Sequence, residues 1–183
     1  MKVEPGKING ALLISPKVYR DERGMFFETY HEKRYGEAGI AESFVQDNRS
    51  VSSAGVLRGM HYQINQPQGH LVTVTHGKIF DVGVDLRPGS STFGQWTSAV
   101  LTADPPVQLY LPPGVAHGFY VLSERAEIWY RCTQLYSHGD EGGLLWSDPD
   151  VGIAWPAADY LINPRDAEFP TLRDIPKNRL PQV

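Results

Sequence analysis

The 183-residue chain is expected to be mainly β, a barrel or sandwich of short strands joined by tight turns. Three observations lead there. Its 18 glycines and 14 prolines are spread along the whole length and cut it into short segments. Several of those segments alternate apolar and polar residues with period two. Helix signals are few and weak.

Taken in order, residues 32–38 are the best helix candidate, a short charged stretch ended by Gly39. Residues 80–87 read as a half-buried strand. Phe80, Val82, Val84 and Leu86 lie on its apolar face, with Asp81, Gly83, Asp85 and Arg87 on the polar one. Residues 87–90 and 112–114 read as turns, and residues 108–111 and 128–136 as strands. No internal repeat or low-complexity linker divides the chain. Residues 1–183 are expected to form one domain with N-terminal strands. The proline-rich, charged extension of about 163–183 wraps the barrel or joins a subunit contact.

Composition excludes several partner classes. The net charge is −4 and the pI about 5.8, so neither nucleic acid nor an anionic membrane is an expected partner. Residues 1–6 carry no apolar signal segment, and no apolar run is long enough to cross a bilayer. The lone Cys132 forms no internal disulfide. It reads as a small core residue rather than a nucleophile, in a protein of the reducing cytoplasm. There is no G-x-G-x-x-G or P-loop, so a nucleotide diphosphate would be held by a few placed arginines.

Two stretches resemble the paired motifs of the cupin superfamily. One runs Arg58-Gly59-Met60-His61-Tyr62-Gln63 to the turn His76-Gly77-Lys78; the other is Leu111-Pro112-Pro113-Gly114-Val115-Ala116-His117. The resemblance implies a double-stranded β-helix, or jelly-roll, barrel with a few short helices. Metal-binding cupins place an H-x-H pair and a glutamate in the first motif and a third histidine in the second. Here that pair has become His61-Tyr62-Gln63, and the glutamate position falls among Ile64-Asn65-Gln66, so only His61 and His117 remain. Two imidazoles and amides are a poor donor set, and neither metal nor other cofactor is expected.

More of the chain resembles one family, the dTDP-4-dehydrorhamnose 3,5-epimerases. The matching blocks include Asp21-Glu22-Arg23-Gly24-Met25-Phe26-Phe27-Glu28, Phe44-Val45-Gln46-Asp47-Asn48-Arg49-Ser50, Pro113-Gly114-Val115-Ala116-His117-Gly118-Phe119 and Trp146-Ser147-Asp148-Pro149. The resemblance implies a homodimer that inverts C3 and C5 of a dTDP-linked 4-keto-6-deoxyhexose in deoxysugar biosynthesis, although some relatives invert one centre only. It makes His61 the general base, Tyr130 the general acid and Asp166 the carboxylate paired with the base. Arg23, Glu28, Gln46, Asp47, Asn48, Arg58, His117, Glu141 and Arg165 align with nucleotide and sugar contacts. Relatives usually carry lysine where this chain has His70, in His70-Leu71-Val72, and His70 is expected at the sugar end of the pocket.

These residue types suit the chemistry. A ketone at C4 acidifies the C–H bonds at C3 and C5, and removing either proton gives an enolate. Imidazole titrates near neutrality, a carboxylate fixes its tautomer, and a phenol can return a proton from the opposite face. The enolate oxygen needs donors, which His70 supplies as imidazolium or through a neutral N–H. Tyr136 competes with Tyr130, because strand alternation puts both on one face. Asp81 either orients His70 or satisfies a buried arginine. Other readings are a C3-only or C5-only epimerase of a CDP- or GDP-linked sugar, a metal cupin such as a dioxygenase or sugar-phosphate isomerase, and a non-catalytic sugar-binding cupin.

Overall fold

Residues 1–156 and 159–183 are described by a computed structural model. The first of two facing sheets has the order β1 (Lys2–Pro5), β2 (Leu12–Ser15), β10 (Gln108–Leu111), β7 (His70–His76), β12 (Arg125–Cys132) and β5 (Gln46–Ser53). The second runs β13 (Glu141–Gly143), β6 (Val56–Gln63), β11 (Val115–Val121), β8 (Lys78–Asp85) and β9 (Trp96–Thr102), with β14 (Leu161–Ile162) parallel to β6. A separate hairpin is formed by β3 (Val18–Asp21) and β4 (Gly24–Phe27). The helices α1 (Glu32–Glu37) and α2 (Pro164–Ala167) are short. Many neighbouring strands are far apart in sequence, which is the jelly-roll topology expected. Among the described residues, no helix is long and apolar enough to cross a membrane.

Alternation divides the interior into two ends. At one end Val72, Val74, Leu109 and Ile128 of the first sheet meet Ile79, Leu101 and Val121 of the second in a closed apolar core. Farther along the same inward rows the residues turn polar: His70 on β7, Tyr130 on β12, Asn48 and Ser50 on β5, His61 on β6 and His117 on β11. The apolar end supplies the burial that holds the sheets together. The polar end is left for chemistry.

β8 differs from the half-buried strand expected. Both of its faces are covered from Ile79 to Asp85 except for partly exposed Phe80. Its apolar row Phe80, Val82, Val84 and Leu86 does not face the space between the sheets. It packs outward under the C-terminal residues Leu172, Ile175 and Leu180. The row read as polar is the inward one, and Asp81 is wholly buried on it. β12 also ends earlier than the strand expected over 128–136, at Cys132, so Tyr136 lies beyond it. α1 stops one residue short of the helix expected, and Gly39 follows with a φ of 106°.

A bulge in β6 sets the aim of the site. His117 pairs with His61, and Phe119 with Arg58, so three steps on β6 oppose two on β11. The extra residue lets both Arg58 and His61 face the cavity, although their odd spacing would put them on opposite faces of a regular strand. Glycine is required there. Gly59 has a φ of 121°, and a Cβ on it would lie 2.6 Å from the Gly118 Cα.

Candidate active site

The polar end encloses a cavity of about 210 Å³ lined by Asn48, Arg58, His61, His70, His117, Tyr130, Tyr136 and Glu141, with Ser50, Gln63 and Phe119 among its other walls. That is below the roughly 300–1,000 Å³ of sites that enclose a drug-sized ligand, so it suits a sugar ring with the rest of the molecule outside. Eight of the thirteen residues singled out from the sequence act at or beside this wall: Asn48, Arg58, His61, His70, His117, Tyr130, Glu141 and, behind His61, Asp166.

His61 and Asp166 form the first constellation. Asp166 is placed by α2, whose start is set by Pro164 and by Asn163, whose side chain caps the Arg165 N–H. Its Oδ1 lies 2.9 Å from the His61 Nε2, and its Oδ2 accepts the Gly59 N–H at 3.1 Å. Burial pushes the Asp166 carboxyl up, but the His61 ring, the Gly59 N–H and the Arg165 guanidinium together hold it below the ordinary range. The Arg165 Nη2 also lies 3.4 Å from the His61 Nε2. One nitrogen cannot donate to Asp166 and accept from Arg165; the shorter contact, to a carboxylate, decides. The proton sits on Nε2 and the Nδ1 lone pair is free to act as a base. Phe169 packs edge-on against this ring at 5.7 Å between centroids.

Arg165 lies just outside the cavity wall and reaches Glu141 at 2.7 Å. Arg58 donates through Nε to Ser52 Oγ at 3.1 Å, which fixes its stem on β5. Tyr130 is largely buried, and its phenol is pushed above its ordinary value chiefly by burial and by the nearby Cys132, with Arg58 and Asn48 opposing. It is therefore protonated at neutral pH and able to donate.

His70 lines the cavity, as expected, at ring-centroid distances of 5.3 Å from His117 and 5.8 Å from Tyr130. Burial, reinforced by the neighbouring His117 and His61, lowers its pKa to about 3. Of the two ways it could donate, imidazolium is removed and the neutral N–H remains. Its Nδ1 is buried without a partner among the described residues.

The expected roles of Asp81 are both corrected. It neither orients His70 nor meets an arginine; its Oδ1 binds the His117 Nε2 at 2.8 Å. Period-two reading missed this, because alternation gives the face of Asp81 and not its partner across to β11. Gln63 was read as a lost metal ligand. Its amide instead donates to Gln66 O at 2.8 Å and Leu135 O at 3.2 Å and accepts the Ser137 N–H at 2.7 Å, tying down the loop that carries Tyr136. Among the described residues, no three His, Cys, Asp or Glu side chains gather as a metal site.

Other residues expected at the site do not line the cavity, Tyr136 excepted. Asp47 is on the outward row of β5, 3.8 Å from Arg131. Gln46 is spent on Asn48 and on the Tyr136 N–H. Arg23 pairs with Asp21 on the exposed β3–β4 hairpin, and Glu28 pairs with Arg34. Tyr136 sits at the cavity mouth, half exposed, with its hydroxyl 3.3 Å from the His138 Nδ1.

Residues 5–174 match the family model described as dTDP-4-dehydrorhamnose 3,5-epimerase. The chain belongs to that family. A curated family member from Pseudomonas aeruginosa is 47% identical over 176 residues, covering 95% of this chain and 97% of the relative. The crystal structure of a dTDP-6-deoxy-D-glucose-3,5-epimerase from Legionella pneumophila, in complex with dTDP-4-keto-L-rhamnose, is 44% identical. It superposes with a TM-score of 0.95 over 100% of this chain and 98% of that one. A 3′-monoepimerase from Streptomyces bikiniensis, in complex with dTDP-quinovose, is 33% identical with a TM-score of 0.85, covering 91% of this chain and 86% of that one. The epimerase family thus includes structures named for two inversions and for one, on the same cupin-type barrel.

Proposed function

We propose that this family member inverts C3 and C5 of a dTDP-linked 4-keto-6-deoxyhexose, through an enolate and without a cofactor. The observation that carries the reading is the His61–Asp166 pair opening into a cavity that Tyr130 also lines. The His61 Nδ1 removes the proton beside the ketone, and Asp166 stabilises the imidazolium that forms. The neutral N–H of His70 meets the enolate oxygen. Tyr130 returns a proton to the opposite face. Arg58, Asn48 and Glu141 line the cavity and Arg165 reaches Glu141 beside it; these residues are assigned to the nucleotide diphosphate, which arginine suits by bidentate donation. The choice of dTDP follows its relatives; NMR of product configuration after incubation with dTDP-, CDP- and GDP-linked 4-keto sugars tests it. Turnover confined to a CDP- or GDP-linked sugar, or inversion of one carbon only, overturns that part.

His70→Ala is expected to lower kcat about 100-fold, the lower end of what a lost oxyanion donor costs. Because the ring titrates at about 3, it is neutral above that value and charges only as pH falls through it. Wild-type kcat therefore shows no inflection from His70 between about pH 5 and 9. Unchanged turnover and affinity in the variant contradict the role.

Arg23 and Glu28 lie apart from the cavity of their own chain, on and beside a hairpin that exposes Tyr19 and Phe26, the latter 71% accessible. Trp129 and Val51 are exposed on the outer face of the first sheet. These features fit a homodimer in which the hairpin's residues serve the other copy's site. Sedimentation at micromolar concentration is expected to give a species of about twice the 20.4 kDa chain mass. A monomer at that concentration refutes it.

A further inference from the structure

Two imidazole–carboxylate pairs of nearly equal length face one cavity, His61–Asp166 at 2.9 Å and His117–Asp81 at 2.8 Å, on strands where the two histidines are register partners. Their carboxylates live in different surroundings. Asp166 also accepts the Gly59 N–H and lies 3.4 Å from the Arg165 Nε, so it stays an anion and leaves His61 with a bare Nδ1. Asp81 is wholly buried, and among the described residues its Oδ2 has no partner and its side chain hydrogen-bonds to His117 alone. An anion held by a single neutral imidazole in such a place is costly. Two arrangements of the pair carry no net charge: carboxylic acid with neutral imidazole, and carboxylate with imidazolium. In both, Nε2 is engaged by Asp81 and Nδ1 carries a proton.

We propose that Asp81 is a positioning residue that makes His117 an N–H donor to the substrate's ketone oxygen and lets it become a cation only as the enolate forms. The inference rests on the epimerase reading of this cavity. The proton involved leaves the Asp81 Oδ1 and binds the His117 Nε2 within one hydrogen bond, so the carboxyl becomes −1 as the ring becomes +1 and nothing is exchanged with solvent. Burial raises the Asp81 pKa, against the pull of His117. The negative charge growing on the enolate oxygen draws the proton toward the ring. The neighbouring His70 is neutral and does not oppose the imidazolium 5.3 Å away. The two pairs thus take opposite parts, His61 as proton acceptor and His117 as donor, set by what else each carboxylate touches.

The test is Asp81→Asn, which preserves shape and can still hold the ring by donating to Nε2, but has no proton to pass on. A merely structural role leaves kcat intact in this variant. The proposal expects kcat to fall about 100-fold with KM and the Kd for dTDP within about threefold. It also expects Asp81→Asn/His117→Asn to be no slower than His117→Asn alone, since Asp81 acts through that ring. An unchanged kcat, or losses that multiply in the double variant, overturns it. If Asp81→Asn does not fold, ¹⁵N NMR of the wild-type histidines decides: a protonated His117 Nδ1 is expected, and a bare Nδ1 contradicts. Failure of the epimerase reading is a separate result, seen as no turnover by the wild-type chain.

Discussion

His61→Asn is expected to cut kcat by about 10³- to 10⁴-fold, toward the upper end of what a positioned general base contributes. No neighbour can replace it. His70 lies in the same cavity, but its lone pair is that of a ring titrating at about 3, too weak a base for a carbon acid. The His117 Nε2 is engaged by Asp81. Glu141 is tied to Arg165 at 2.7 Å. The loss should fall on kcat, because the proposed role of His61 is at the reacting carbon and not at the nucleotide. Calorimetric dTDP affinity within about threefold of wild type, with turnover followed by NMR, checks this. A loss smaller than tenfold would place the base elsewhere.

Tyr130→Phe separates the two halves of the reaction. The variant keeps the ring that packs 5.8 Å from His70 and loses only the hydroxyl. Inversion is expected to fall about 10²- to 10³-fold, because no donor remains on the second face. Proton removal by His61 needs no phenol, so solvent exchange at the same carbon with retained configuration should persist at a tenth of the wild-type rate or more. The ratio of exchange to inversion, near one in the wild type, therefore rises at least tenfold. Tyr136→Phe should leave that ratio unchanged, since Tyr136 lies at the mouth, beyond the end of β12, with its hydroxyl toward His138. If Tyr136→Phe raises the ratio and Tyr130→Phe does not, the two tyrosines must exchange roles.

The sequence carried the barrel and the residues His61, Tyr130 and Asp166 because motif order survives in the chain whatever its packing. It misled where a strand has two buried faces. Alternation in β8 gives two rows but does not say which points inward. The apolar row Phe80, Val82, Val84 was assigned to the interior, whereas it lies under the C-terminal tail. The reading of Asp81 as a partner of His70 or of an arginine therefore gives way to its bond with His117. The bulge at Gly59 was equally hidden, since the pairing of β6 with β11 depends on contacts 56 to 63 residues apart in sequence. Strand alternation put Tyr136 beside Tyr130 only because the end of β12 was set too late. Arg23 and Glu28 align with site residues in the resemblance, yet in the fold they pair with Asp21 and Arg34 away from the cavity, which a linear match does not reveal.

Turnover of dTDP-4-keto-6-deoxyglucose in deuterium oxide, stopped early and read by proton and deuterium NMR, tests the central claim most directly. A base on one face and an acid on the other require every inverted carbon, C3 and C5 alike, to carry one solvent deuteron, with C1 and C2 fully protonated. Inverted product that keeps its original hydrogen at either carbon would contradict a proton-transfer path through His61 and Tyr130.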